Sequence, residues 1–271
     1  MGKLIKRIPE QELAMTNPRS VSCYDGEGYE GCLRPIYLLG ADIISGIFPK
    51  KGRCLDIGCG SGQFTIEYAR RIPQLKVIAI DLSKEMISLA KKNLNNLSGD
   101  LQERITFKAG DMLKLSDFPS KSFDAFVCSY AIHHTKTEGE VQHVFKQINR
   151  ILKKEGAIYI YDLLRPNSIT ELRKINNLLQ HYPTPLKEDT LNSLQASYSN
   201  KEFIKILNES KLTHMKYFVM QRGILIVRAY QGERSKFCES NLMDNYNEYS
   251  ELIKKRYELG VRQIFEAGFS I

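Results

Sequence analysis

The chain lacks the features that mark membrane-spanning, exported and metal-built proteins. No apolar stretch approaches the roughly 20 residues of a membrane-crossing helix, so no membrane insertion is expected. The N-terminus, Met1-Gly-Lys-Leu-Ile-Lys-Arg7, has no apolar core long enough for a signal peptide, and the chain reads as cytoplasmic. Six cysteines (Cys23, Cys32, Cys54, Cys59, Cys128 and Cys238) form no C-x-x-C pair and do not cluster with histidine. No metal site is therefore expected. Cys54 and Cys128 fall on apolar strands, where cysteine acts as a small hydrophobe. The net charge is +8, but the lysines come as scattered pairs such as Lys50-Lys51, Lys91-Lys92, Lys153-Lys154 and Lys254-Lys255. Without a long basic run or an interleaved aromatic platform, nucleic acid is not a favoured partner.

What is present suits a globular protein. The 271 residues, 42% of them hydrophobic, suffice for one large α/β domain with additions. Its most informative segment is Asp56-Ile-Gly58-Cys-Gly60-Ser-Gly62. The segment follows the apolar run Arg53-Cys-Leu55 and precedes Phe64-Thr-Ile-Glu-Tyr-Ala69, so a strand ends in a glycine turn and a helix follows. Glycine lets backbone approach a ligand closely, because no Cβ intervenes. The dinucleotide fingerprint fails here, since its sixth position is Gln63. A P-loop fails too, because no Gly-Lys-Ser/Thr follows. The turn alone is also compatible with an ordinary tight turn.

Further strand tips carry acids. Val77-Ile-Ala-Ile80 is β-branched and apolar, and Asp81 ends it. A carboxylate there can accept both ribose hydroxyls. Asp81 or Ser83 can also cap the helix Lys84–Lys92, and both uses are compatible, with Ser83 capping and Asp81 binding. Arg104–Lys108 alternates like a strand and leads to Gly110-Asp111-Met112, where the acid can receive an adenine amine and Met112 can lie against the base. A fourth strand, Phe123–Cys128, ends at Ser129-Tyr-Ala-Ile-His133-His134. A helix, Val141–Leu152, separates it from a fifth strand, Gly156–Tyr161, which ends at Asp162-Leu-Leu-Arg165-Pro166.

Together these tips resemble the class I S-adenosylmethionine-dependent methyltransferases, from Lys51 to Pro166 and more weakly to Tyr230. Asp-x-Gly-x-Gly-x-Gly is similar to the family's first motif, Asp81 to its ribose-binding acid and Gly110-Asp111-Met112 to its adenine contact. Asn149–Gly156 resembles the signature before strand five. The nearest branch by resemblance is the small-molecule one that includes ubiquinone and menaquinone biosynthesis enzymes, where a His-His turn follows strand four. After the same strand, amino-group nucleic-acid methylases carry Asn/Asp-Pro-Pro-aromatic, and Cys128-Ser-Tyr-Ala131 does not match it.

The resemblance implies S-adenosyl-L-methionine as methyl donor and a small-molecule acceptor. It implies an α/β, Rossmann-like, seven-stranded sheet, mostly parallel with an antiparallel edge strand and helices on both faces. An N-terminal helical lid (residues 1–48), a methyltransferase domain (49–232) and a C-terminal helical extension (233–271) complete the expected organisation. The cofactor set is Tyr24, Tyr29, Asp56, Gly58, Cys59, Gly60, Asp81, Leu82, Met86, Gly110, Asp111, Met112 and Ser129. Tyr24 and Tyr29 are placed to close over the sulfonium by cation–π contact. His133 and His134 are the candidate catalytic pair, as base or substrate orienter, although one of them could simply hold a loop carbonyl. Asp162 and Arg165 could orient the substrate, or Arg165 could pair with a carboxylate. Cys23 and Cys32 flank the lid, but thiol-based arsenic methylation would need three well-placed thiols, and unpaired thiols are the plainer reading.

The flanks are less legible. Tyr24–Leu33 holds three glycines and reads as a mobile lid or a surface linker, followed by an apolar helix over Pro35–Ile44. Ser168–His181 looks helical and breaks at His181-Tyr-Pro-Thr-Pro185. Asn200–Asn208 is a helix capped at Ser199 or Asn200, and a hairpin turns at Arg222-Gly223. Tyr249, Leu252, Ile253, Tyr257, Val261, Ile264, Phe265 and Phe269 recur at helical steps. That stripe can pack on its own domain, make a homodimer contact or cover the active site. An RNA or protein methyltransferase and a non-catalytic S-adenosylmethionine-binding protein are the alternative functions.

Overall fold

A computed structural model describes residues 5–12, 14–97, 99–212, 214–219 and 223–230. The expected C-terminal helix, its dimer contact, Cys238 and Arg222 lie outside the described residues. Two helices lead in, α1 (Pro18–Tyr29) and α2 (Arg34–Ile47). Asn17 caps α1 by accepting from the Arg19 amide, and Pro18 sits where a helix needs no donor. The alternating region follows: β1 (Lys51–Ile57), α3 (Gln63–Arg71), β2 (Gln74–Asp81), α4 (Lys84–Asn95), α5 (Gly99–Arg104), β3 (Ile105–Ala109) and β4 (Phe123–Ser129). After a short 3-10 turn (Ile132–His134) come α6 (Glu138–Ile151), β5 (Leu152–Leu163), α7 (Ile169–Leu178), a second 3-10 turn (Leu179–His181), α8 (Thr184–Ala196), α9 (Asn200–Glu209), β6 (Lys216–Val219) and β7 (Gly223–Arg228).

The strands form one seven-stranded sheet in the order β3-β2-β1-β4-β5-β7-β6. The first five run parallel, and β7 runs antiparallel to both β5 and β6, so the sheet closes on an antiparallel edge pair. Chain order reverses beside β1, which pairs with β2 on one side and β4 on the other. In open α/β sheets ligands bind at such a switch point, beyond the strand C-termini.

Strands buried on both faces need apolar residues at nearly every position. Ala125 and Val127 of β4 therefore face one core cluster, with Tyr159 and residues of α2 and α3. Phe126 and Cys128 face the other, with Phe145 of α6 and Phe203 of α9. Ser199 begins α9 with a full capping box, its hydroxyl accepting from Glu202 N while the Glu202 carboxylate accepts from Ser199 N.

The glycine-rich stretch corrects the sequence expectation. Tyr24–Tyr29 is helical and completes α1. A Cβ at Gly28 would stand 2.8 Å from the Tyr37 ring, so this glycine serves the close crossing of α1 and α2. The prolines after His181 end one helix and start another, since Pro185 lies in the first turn of α8, an element the sequence reading left unassigned.

Candidate active site

The glycine turn closes the C-terminal end of β1. Gly58, Gly60 and Gly62 adopt φ values of 69°, 52° and 77°, a left-handed region that side chains resist. Space excludes side chains at two of them as well. A Cβ on Gly58 would lie 2.3 Å from Ala131 Cβ, and one on Gly62 would lie 2.5 Å from Phe107. Gly58 N and Cys59 N donate to Ile80 O at 2.8 and 3.1 Å, which ties the turn to β2.

Asp81 locks the turn further. Its Oδ2 accepts from Gly60 N at 2.8 Å and its Oδ1 from Ser83 N at 2.9 Å. Ser83 Oγ accepts from Met86 N and caps α4, the cap the sequence offered to Asp81 or Ser83. Ser83 Oγ also donates to Met15 O at 2.6 Å, fastening the N-terminal segment to this corner.

Asp56 is 2% exposed. Its Oδ2 accepts from Thr65 Oγ1 at 2.7 Å and Tyr68 Oη at 2.9 Å, both on α3. Burial pushes its carboxyl up to about 7 against the opposing pull of the two hydroxyls. Asp56, Cys59 and Ser129 line a small recess beside the main cavity, with Tyr24 between the two.

The main cavity measures about 640 Å³ at the switch point. Gly58, Gly60, Asp81, Leu82 and Met86 form part of its wall, and Gly110, Asp111 and Met112 continue it. Tyr29 is the exception among the expected cofactor residues. It is 61% exposed and points to solvent. Five positions along a helix turn a side chain by about 140° relative to Tyr24, so α1 cannot present both rings to one cavity.

The opposite wall begins where β4 ends. Tyr130 takes a left-handed φ of 54°, a conformation non-glycine residues hold only under constraint, and its N–H bonds Tyr161 O at 2.8 Å. The 3-10 turn then presents both histidines to the cavity. His133 is 3% exposed and is gripped by Asp162, whose Oδ1 lies 2.6 Å from Nδ1 and whose Oδ2 accepts from the backbone N at 3.0 Å. Burial opposes charge on this imidazole, but Asp162 outweighs it and raises the pKa above the ordinary histidine value.

His134 pairs with Glu10, Nδ1 to Oε2 at 2.5 Å, and Glu10 Oε1 accepts from Ser193 Oγ at 2.7 Å. Burial would raise the Glu10 carboxyl, yet His134, His133 and the Ser193 hydroxyl together outweigh it and hold it at about 2. Glu10, His133 and His134 each bring one ligating atom within 4.8 Å of the others. In both imidazoles Nδ1 is engaged by a carboxylate, Asp162 for His133 and Glu10 for His134.

Sequence reasoning missed Glu10, Ser193 and Arg7, which ties the N-terminal segment to α8 and to the histidine turn. Its guanidinium donates to Ala196 O at 2.6 Å, Lys136 O at 2.7 Å and His133 O at 3.2 Å, and to Thr135 O. It also lies 4.1 Å over the Tyr198 ring. No periodicity marks residues 5–17, so nothing in the sequence singled out Arg7 or Glu10 there. Arg165 takes its structural reading, buried and bonded to both Glu202 oxygens at 2.8 Å. Five cysteines are free among the described residues, and burial raises the Cys23 and Cys32 thiols away from the reactive thiolate.

An open sheet with a glycine turn after β1 and acids at the next two strand tips is the fold of class I S-adenosylmethionine-dependent methyltransferases. Residues 54–156 match the family described as methyltransferase domain, so this stretch of the chain is similar to that class. It is similar to the demethylmenaquinone methyltransferase of Deinococcus radiodurans, 35% identical over 118 residues, which cover 43% of this chain and 45% of that protein. The uncharacterized methyltransferase YcgJ of Bacillus subtilis is 28% identical over 148 residues, covering 54% and 55%. The chain spans about half the length of the curated relatives it matches. Among solved structures, the plantazolicin methyltransferase BpumL in complex with SAH superposes with a TM-score of 0.61 at 19% identity, over 90% of this chain and 88% of that one, a likeness of fold.

Proposed function

We propose that this protein transfers a methyl group from S-adenosylmethionine to a small molecule bound in the 640 Å³ cavity. The observation that carries the reading is convergence. Asp81, Asp111 and the glycine turn line one cavity together with His133, which Asp162 holds from behind. The donor set suits the cofactor: Asp81 for the ribose hydroxyls, Asp111 with Met112 for the adenine, and the Gly58–Gly60 backbone with Asp56 for the amino-acid end. When bound, S-adenosylmethionine supplies a methyl carbon on a cationic sulfur. Leu82, Met86 and Tyr24 complete its surround, Cys59 meets it through backbone, and Ser129 stands at the recess.

His133 is the proposed base. The Asp162 carboxylate accepts the Nδ1 hydrogen, which leaves Nε2 with its lone pair to take a proton from the acceptor. His134 with Glu10 positions the acceptor from the neighbouring ring, 4.2 Å away between centroids. Alignment of the acceptor with the methyl contributes much of the rate in such a displacement.

An RNA acceptor is disfavoured, because the cavity wall among the described residues contains no lysine or arginine. No helix among the described residues is long and apolar enough to cross a membrane. A cytoplasmic location and a homodimer through the C-terminal segment belong to this proposal as well. Calorimetry tests the core of it. S-adenosylmethionine and S-adenosylhomocysteine should bind wild type, and Asp81→Ala should weaken both at least about tenfold, the loss of a charge-assisted hydrogen bond. Absence of binding to wild type at millimolar ligand would sink the reading.

A further inference from the structure

The charge of the cavity is at odds with the charge of the chain. Lysine and arginine outnumber aspartate and glutamate by 39 to 31, yet the cavity wall holds no basic residue besides the two histidines among the described residues. Six carboxylates line it: Glu10, Glu12, Asp81, Asp111, Glu140 and Asp189.

Four of the six have evident partners. Asp81 accepts from Gly60 N and Ser83 N, and Asp111 Oδ1 accepts from Leu113 N at 2.9 Å. Glu10 is held by His134 and Ser193, and Glu140 Oε2 accepts from Lys136 N at 2.5 Å. Glu12 is exposed at the rim. Asp189 differs from all of these. It lies part-buried on α8 and makes no hydrogen bond among the described residues. It lines the cavity from α8, which packs against the 3-10 turn that carries His133 and His134, so it stands at the histidine end of the cavity. Tyr130, Tyr161 and Tyr182 line the same cavity, the first two edge to face at 5.0 Å.

We infer that the acceptor is an amine, which enters as an ammonium paired with Asp189 and faces the tyrosine rings. The inference rests on the methyl-transfer reading above. A part-buried carboxylate without a partner is complemented by a cation with N–H donors, and aromatic faces add cation–π attraction. A carboxylate or phosphate acceptor would meet Asp189 with only His133 and His134 as basic groups, both already engaged by Asp162 and Glu10, and a phenol would have to ionise beside Asp189. An ammonium gains from that acid.

The chemistry balances. The ammonium yields a proton to His133 Nε2, and Asp162 holds the resulting imidazolium. The freed nitrogen lone pair forms the N–C bond while the C–S bond breaks, its electron pair remaining on sulfur. Sulfur becomes a neutral thioether, and the positive charge passes to the methylated nitrogen. The imidazolium then loses its proton to solvent.

Three probes of matched size test the assignment: 2-phenylethylamine, 4-ethylphenol and 3-phenylpropionate. Each is titrated by calorimetry into the full chain saturated with S-adenosylhomocysteine. The amine should bind at least tenfold more tightly than the phenol, and 3-phenylpropionate more weakly still. Asp189→Asn should weaken amine binding about tenfold or more, with S-adenosylhomocysteine affinity unchanged as the control for folding. Equal or tighter binding of the phenol or the carboxylate overturns the inference, as does an amine affinity indifferent to Asp189→Asn. Wild type that fails to bind S-adenosylhomocysteine refutes the methyl-transfer reading itself, a result distinct from a cofactor-binding protein that prefers an anion.

Discussion

The two walls of the cavity meet where Gly58 touches Ala131, and they are held by different means. The wall from β1, β2 and β3 is made largely of backbone. Its turn is fixed by left-handed glycines and by amides bonded to Ile80 O and Asp81. The facing wall is made of side chains reaching across long sequence distances: Asp162 to His133, Glu10 to His134 and Ser193, and Arg7 to a row of carbonyls. A backbone wall tolerates few added atoms but is nearly blind to side-chain chemistry. A side-chain wall can be rewritten one contact at a time, so the first suits an invariant ligand and the second a variable one.

The largest expected effect separates the walls outright. His133→Ala should lower turnover about 10²- to 10⁴-fold, the usual worth of a positioned base, with cofactor affinity unchanged by calorimetry. A matching loss of cofactor affinity would erase the distinction. Gly58→Ala attacks the seam, since its Cβ would collide with Ala131 and its φ is left-handed. Strain of about 2 kcal/mol should depress the melting temperature by roughly 5 °C and weaken cofactor and acceptor together.

A smaller effect follows from pH. Burial lifts the Asp56 carboxyl from 3.8 to about 7, so the folded state holds this proton more tightly than the unfolded chain does. Its contribution to stability is full below the unfolded value and is lost as pH rises through about 7. Melting temperatures measured from pH 4 to 8 should fall less steeply for Asp56→Asn than for wild type. The smallest effect is at Tyr29. Being exposed and outside both walls, Tyr29→Ala should change stability by less than about 0.5 kcal/mol and leave cofactor affinity intact. A clear loss of affinity would return it to the cofactor wall.

The same contrast explains what could be read from the residues alone. Val77-Ile-Ala-Ile80 with Asp81, the glycine turn and the His133-His134 turn are local patterns, because a doubly buried parallel strand and a left-handed turn each demand particular residues in succession. The sheet and the glycine turn were legible for that reason. Glu10 and Ser193 were not, since a bond between residues 183 positions apart leaves no period in the chain. The burial pattern on α8 is weakly one-sided, with a stretch of Thr184–Ala196 that mixes polar and apolar residues without a clear stripe. Tyr29 misled because proximity in sequence to Tyr24 was taken for proximity in space, which a helix denies.

Arg7 carries one more implication, for the order in which the molecule is assembled. Its bond to Ala196 O spans 189 positions, and Ile8 N reaches Gln195 O nearby. On a ribosome Arg7 and Ile8 must wait for nearly the last of α8 to emerge before they can dock. By then β1 to β4 and the glycine turn have long been available to pair. The nascent protein thus acquires the glycine-turn wall of the cavity early and the histidine wall late, and slow steps in its maturation should concern the histidine wall.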